Sequence, residues 1–139
     1  MHLLEKAILI ATKAHKDQVD KGGAPYILHP IAVMSRVSSI EAKIVAILHD
    51  VIEDTPVTLE QLRTENFPDN VLSALLLLTH SEDEPYFSYI ERISKHSLAK
   101  EVKIADLEEN MNLERIPKPS RKDLERVQKY QSAYRKLTE

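Results

Sequence analysis

The chain has no cysteine, only two glycines, no basic surplus and no long apolar run. Without cysteine it can form neither a disulfide framework nor a thiolate nucleophile, and a reducing compartment suits it. A net charge of −3 over 139 residues argues against nucleic acid as the main partner, because phosphate-backbone binders carry excess Lys and Arg. The longest apolar stretch, VLSALLLL from Val71 to Leu78, falls far short of the ~20 residues a membrane span needs. The N-terminal MHLLEKAILIA carries a glutamate inside its apolar pattern and has no basic n-region, so it is expected to be a first helix and not a signal peptide. A cytoplasmic protein is expected. What remains is an ordinary globular composition, 42% hydrophobic and 29% charged, of a length that suits one domain with one core, residues 1–139.

The two glycines are adjacent, Gly22 and Gly23, and alternating polar/apolar segments are scarce, so the expected class is all-α, a compact fold of about eight helices. Apolar residues recur at Leu4, Ala7, Ile8, Ala11 and Ala14, the spacing of a first helix from Leu3 to His15. DQVDKGGAPY breaks it, and Pro30 suits the first turn of a second helix running through IAVMSRV. A third is expected from Ile40 to Asp54, with Ile44, Ile47, Leu48 and Val51 inward. Thr58 and Gln61 have the spacing of a capping box that opens a short fourth helix. A fifth begins at Asp69 and is apolar nearly all round, hence central. Pro85 opens a sixth that reaches Lys95, a seventh covers Leu98 to Leu113 before PKPS, and a charged amphipathic helix runs from Arg121 to Leu137.

The chemistry concentrates in ILHDVIEDT, Ile47 to Thr55, where an apolar helical run carries His49, Asp50, Glu53 and Asp54. An adjacent His–Asp pair alone is unspecific. Four ionisable groups within six residues are not, since burying each unpaired costs roughly several kcal/mol. Spacing of four pairs His49 with Glu53 and Asp50 with Asp54 on one side of the helix. Imidazole beside carboxylate suits a divalent metal of mixed N/O preference: Mn²⁺, Fe²⁺, Zn²⁺ or Co²⁺. Two ligands do not make a site, and the candidates for the rest are His29, beside a proline at a helix start, and Asp106 in KIADLEENM.

These stretches resemble a family. HPIAV, LHDVIEDT and KIADLEENM are similar to the motifs of the HD-domain metallohydrolases. More narrowly, AHKDQVDKGGAPYILHPIAV followed by ILHDVIEDT resembles the hydrolase domain of the alarmone enzymes and the stand-alone small alarmone hydrolases. The resemblance runs from about residue 7 to the last helix. It implies that His29, His49, Asp50 and Asp106 ligate one metal, typically Mn²⁺, and that Glu53 and Asp54 position and deprotonate the attacking water. It also implies attack at the 3′-phosphate of guanosine 3′,5′-bis(diphosphate) (ppGpp) or a related nucleotide, with release of pyrophosphate. Lys21 and Asn110 then correspond to residues beside the nucleotide and its ribose, and Tyr130 in RVQKY would face the substrate. His15 is expected to pack or support the ligands, and His2, His80 and His96, which have no counterpart in the pattern, to be surface residues.

The chain departs from the pattern at three places, all of them arginines in the relatives. Asp20 stands where an arginine precedes the lysine of the glycine loop, Leu107 follows Asp106, and Asn112 follows Asn-Met. The first of these implies loss of a cation stacked on guanine and gain of a repelling charge. Lys21, Lys103 and the basic residues of the last helix are the candidates to compensate. The metal ligands and the Glu53–Asp54 pair are unaffected. The resulting expectation is a metal-dependent nucleotide pyrophosphohydrolase. The alternatives are an HD phosphohydrolase acting on a less charged nucleotide, such as a nucleoside monophosphate, and a binding module that senses without cleaving. No synthetase activity is expected, the chain ending before any nucleotidyl-transfer domain. Oligomeric state is left open by the sequence.

Overall fold

The structure, a computed structural model, describes residues 2–112 and 118–139. Among them are nine α-helices and no strand: α1 (Leu3–Ala14), α2 (Leu28–Ser35), α3 (Ile40–Leu48), α4 (Val51–Asp54), α5 (Leu59–Thr64), α6 (Asp69–Leu78), α7 (Tyr86–Ser94), α8 (Ser97–Asn110) and α9 (Arg121–Thr138). The all-α expectation holds, and the ninth helix arises because the expected third one is two. Leu113 and Pro117, where a helix end and a turn were expected, lie outside the described residues. No helix among the described residues is long and apolar enough to cross a membrane.

The caps explain most boundaries. Thr58 and Gln61 form the expected capping box of α5, and Ser120 with Asp123 forms another at α9. Two histidines outside the family pattern are also caps. His2 Nδ1 accepts from the Leu4 amide at 3.0 Å, and His96 Nδ1 accepts from Ala99 at 3.2 Å. An imidazole lone pair here does the work usually given to a Ser or Asp oxygen.

Two helices organise the packing. Ala42 and Ile44 through Leu48 are all buried, so α3 is apolar on nearly every side, and it packs against α1, α2, α6 and α8. α8 touches α2, α3, α6, α7 and α9. It buries Lys103, Asp106 and Glu109, and can do so because they are paired: Lys103 with Asp106 at 3.0 Å and Glu109 with Arg36 at 2.6 Å. α2, α3 and α8 pack against one another in all three combinations. This three-way junction positions the site.

Candidate metal centre and active site

α3 ends at Leu48 and α4 begins at Val51, so His49 and Asp50 form the joint. The expectation of one continuous helix with two parallel stripes is corrected here, and His49 supplies the physical reason. The Ala46 carbonyl accepts from His49 Nδ1 at 2.5 Å, while the His49 amide reaches the same oxygen at only 3.5 Å. With Ala46 O claimed by the ring, the ladder is interrupted and Asp50 relaxes to φ −100°, ψ −3°.

From this joint and two other helices four side chains converge. Ligand atoms of His29 on α2, His49 and Asp50 lie within 4.8 Å of one another. Asp106 on α8 closes the group, its Oδ1 lying 2.8 Å from His29 Nε2 and 3.2 Å from His49 Nε2. His49 Nε2 is also 3.1 Å from Asp50 Oδ2. All four expected ligands are therefore brought together.

The donor set fits a divalent cation. A carbonyl can only accept, so His49 Nδ1 carries a proton, and a neutral ring then presents a lone pair at Nε2. That lone pair would face two carboxylate oxygens, which demands a positive charge between them, either a proton or a metal. Burial opposes the charge on His49, but Asp50 and Asp106 outweigh it and raise its pKa well above the ordinary imidazole value. Asp106 shows the reverse. Burial works against its charge, yet Lys103 and the imidazoles hold it well below the usual carboxylate range. Two imidazole nitrogens and two carboxylates suit an ion of intermediate hardness.

Glu53 and Asp54 lie one turn on and line the same cavity of about 360 Å³ as His29, Asp50 and Asp106. They differ in freedom. Glu53 Oε1 accepts from the His80 amide at 2.7 Å, which ties α4 to the segment after α6. Asp54 is pushed up to about 6, by burial first and then by Asp50 and Glu53, and so changes protonation near neutrality.

Lys21, Asn110 and Tyr130 line a second cavity, about 330 Å³, together with Val19, Tyr26 and Val127. The two cavities share Tyr26, His29, Asn110 and Tyr130, so they are continuous around the metal cluster. Asn110 has a further duty, since its amide donates to Asp106 Oδ1 at 3.1 Å. Lys21 is bound to Asp123 at 3.3 Å, and Arg126 pairs with the same carboxylate.

The departures from the family pattern take on physical content. Asp20 Oδ1 accepts from the amides of Gly22 and Ala24 at 2.9 and 3.0 Å, so this carboxylate organises the glycine loop at the cavity edge. Gly23 has φ +85°, and a Cβ there would meet nothing within 4 Å; the residue serves the turn and not a close approach. Leu107 is fully buried in the core. Asn112 lines the second cavity.

Sequence reasoning missed several lining groups. Tyr26 donates to Asp50 Oδ2 at 2.5 Å, and its position three residues before His29 is the signal that could have found it. His80, expected at the surface, is half-buried: its ring lies 4.6 Å from Tyr89 and 6.0 Å from Tyr86, and it lines the same cavity as Glu53 and Asp54. His15 behaves as expected, buried beside Tyr26 with Nδ1 3.0 Å from Gln18 Oε1.

With this geometry in place, similarity to known proteins becomes informative. No protein-family model matches the chain. Over 61 residues it is 51% identical to the guanosine-3′,5′-bis(diphosphate) 3′-pyrophosphohydrolase of Haemophilus influenzae, a match covering 41% of this chain and 9% of that protein. Over 134 residues, 87% of this chain and 17% of the relative, it is 30% identical to a probable GTP pyrophosphokinase of Mycobacterium leprae. The solved structure of a metazoan ortholog of SpoT that hydrolyzes ppGpp superposes with a TM-score of 0.82 at 22% identity, covering 99% of this chain and 85% of that one. The chain resembles the HD-domain ppGpp hydrolases. Its fold is that of the SpoT ortholog, while the matched segments span 9–17% of the two curated relatives.

Proposed function

We propose that this chain is a metal-dependent phosphohydrolase that removes the 3′-diphosphate of ppGpp, or of a related nucleotide, as pyrophosphate. One observation carries the reading: His29, His49 and Asp50 converge within 4.8 Å, against Asp106, and His29, Asp50 and Asp106 line a cavity that also holds Glu53 and Asp54. The activities named for the Haemophilus protein and the SpoT ortholog support the substrate class. We take the ion to be Mn²⁺, the catalytic domain to be residues 1–139 and the compartment to be the cytoplasm.

A dication held by His29, His49, Asp50 and Asp106 would lower the pKa of a bound water toward neutrality. The protein's own groups do the rest. Asp54 takes the proton of the attacking water, and Glu53, anchored to the His80 amide, orients that water. Lys103 and Asn110 hold Asp106 in place, and Tyr26 holds Asp50. The water oxygen bonds to the phosphorus next to the ribose 3′-oxygen, the P–O3′ bond breaks, the 3′-oxygen is protonated from solvent, and pyrophosphate departs. Lys21, Asn110 and Tyr130 receive the nucleoside side of the substrate in the second cavity.

The test is a panel of nucleotides incubated with purified protein and Mn²⁺, scored separately for pyrophosphate and orthophosphate. Pyrophosphate from ppGpp is the expected product. A second reading, hydrolysis of a less charged nucleotide, is favoured by the pairing of both Lys21 and Arg126 with Asp123, which leaves few cations for 5′-phosphates. Orthophosphate release from nucleoside monophosphates without pyrophosphate from ppGpp would select it.

A further inference from the structure

The chain has five tyrosines, and four of them, Tyr26, Tyr86, Tyr89 and Tyr130, line the metal cavity. In a protein with 5% aromatic residues this concentration is unusual, and the motifs around the metal account only for Tyr26. The other three form a wall from α7 and α9, with Tyr86 6.5 Å from Tyr130 and 5.9 Å from Tyr89. On this wall sits Lys129. Its ammonium lies 4.5 Å from the centre of the Tyr86 ring and 5.6 Å from that of Tyr130.

Four cationic side chains line the two cavities: Lys21, Arg126, Lys103 and Lys129. The first two are paired with Asp123 and the third with Asp106. Lys129 makes no ion pair among the described residues; the aromatic faces hold its charge in place without neutralising it. Burial, and then the charges of Arg126 and Lys103, lower its pKa. A third cation added to such a neighbourhood is a poor device for stability and a good one for an anion. The Tyr86 hydroxyl in the same wall is buried with no hydrogen-bond partner, so this wall also has unused donor capacity.

The rest of the cavity shows which anion. Asp50, Glu53, Asp54 and Asp106 face Lys103 there, so even with a bound dication the metal end is net negative. A phosphoryl group bound at that end needs a cation on its far side. Lys129 lines the metal cavity and not the second, nucleoside cavity, so its charge is offered at the metal end.

We propose that Lys129, held on the Tyr86–Tyr130 shelf, binds the outer phosphate of the substrate's 3′-diphosphate and makes the site selective for a diphosphate over a monophosphate. The proposal rests on the hydrolytic reading given above. It assigns Lys129 a part in recognition only, since the bonds made and broken at the inner phosphorus are unchanged.

The test uses the Mn²⁺-loaded protein, Lys129→Gln and Lys129→Arg, with folding checked by circular dichroism. Binding of inorganic pyrophosphate and of orthophosphate is measured by calorimetry, and kcat and KM by turnover of ppGpp and of its 3′-monophosphate analogue. Loss of one charge-assisted hydrogen bond predicts pyrophosphate binding weaker by roughly 10- to 100-fold in Lys129→Gln. Orthophosphate binding should change by less than about twofold, KM for ppGpp should rise with kcat little altered, and Lys129→Arg should recover most of the loss. Unchanged pyrophosphate affinity in Lys129→Gln, or equal weakening toward both anions, overturns the proposal. Pyrophosphate binding that depends on Lys129 in a protein that cleaves no ppGpp would sink the hydrolytic reading and leave the subsite standing.

Discussion

The Tyr26 phenol donates to Asp50 Oδ2 at 2.5 Å, and this is the same oxygen that faces His49 Nε2 at 3.1 Å. Tyr26 therefore sets the orientation of a carboxylate of the candidate metal site from outside the proposed ligand set. Its ring also packs on His15 and His29, at 5.1 and 5.8 Å, so replacing it with Phe removes the hydrogen bond and keeps the packing. Burial, then Asp50, raises the phenol pKa above its ordinary value, so the group remains a donor at any working pH. Tyr26→Phe is expected to weaken metal binding roughly 10- to 100-fold while leaving the melting temperature of the metal-free protein nearly unchanged. Metal titration with calorimetric readout checks it. Wild-type affinity would mean that the hydrogen bond has no positioning role.

Asp106 joins the candidate metal site to the fold. Its Oδ2 pairs with Lys103 at 3.0 Å, and Lys103 is only 9% exposed, with its ammonium 5.2 Å from the Tyr89 ring centre. Removing the carboxylate leaves a buried ammonium without a partner. Asp106→Ala is expected to abolish stoichiometric metal binding and also to destabilise the metal-free protein by about 3–5 kcal/mol. Urea unfolding without metal separates the two effects. Asp106→Ala with Lys103→Met should recover much of the stability and none of the metal binding, because the buried charge leaves with the lysine.

How much of this was legible in the sequence depends on which interaction decided each feature. Helix positions followed from apolar periodicity and capping pairs such as Thr58–Gln61, which are local signals. The convergence of His29, His49, Asp50 and Asp106 was legible because they sit in motifs whose spacing a resemblance can read. The break at His49 was not, because it depends on a ring nitrogen competing for the Ala46 carbonyl, which periodicity does not register. Nor were the pairing of Lys21 with Asp123 or the seating of Lys129 on Tyr86, which join residues far apart in the chain. Asp20 shows the limit most plainly. Its sequence position suggests a charge opposing the nucleotide, while its Oδ1 is occupied with the Gly22 and Ala24 amides.

Glu53 and Asp54 look equivalent in sequence, but the structure distinguishes them. Glu53 Oε1 is taken up by the His80 amide, whereas Asp54 is raised to about 6 by burial, Asp50 and Glu53. If Asp54 is the proton acceptor, Asp54→Asn should lose about 10²–10⁴ in kcat with metal content retained. Glu53→Gln keeps an oxygen that can accept from His80 and should lose less. The sign of the pH dependence follows from the same shift: a base must be ionised, so the rate rises as pH passes upward through the folded pKa. The acid limb of kcat should therefore lie at or below about pH 6, a bound dication pulling it downward. Equal losses in the two variants, or an acid limb above pH 7, would contradict the assignment to Asp54.

Asp123, at the cap of α9, is a second pH-dependent point. It caps α9 through the Ser120 amide and hydroxyl and binds Lys21 and Arg126, and it is only 8% exposed. Its pKa is lowered from 3.8 to about 2, first by the Ser120 amide, then by the Ser120 hydroxyl and Lys21. A depressed folded value means that its stabilising contribution is fully present above pH 3.8 and is lost as pH falls toward about 2. Asp123→Asn can still accept from the Ser120 amide but does not titrate. Its melting temperature should accordingly be lower than wild type at neutral pH, with the gap closing between pH 4 and pH 2, roughly, as the wild-type carboxylate protonates. The same variant releases Lys21 and Arg126 from their shared partner, so it should lower KM for nucleotides bearing 5′-phosphates. A gap in melting temperature that stays constant down to pH 2 would show that the Asp123 charge contributes nothing to the cap.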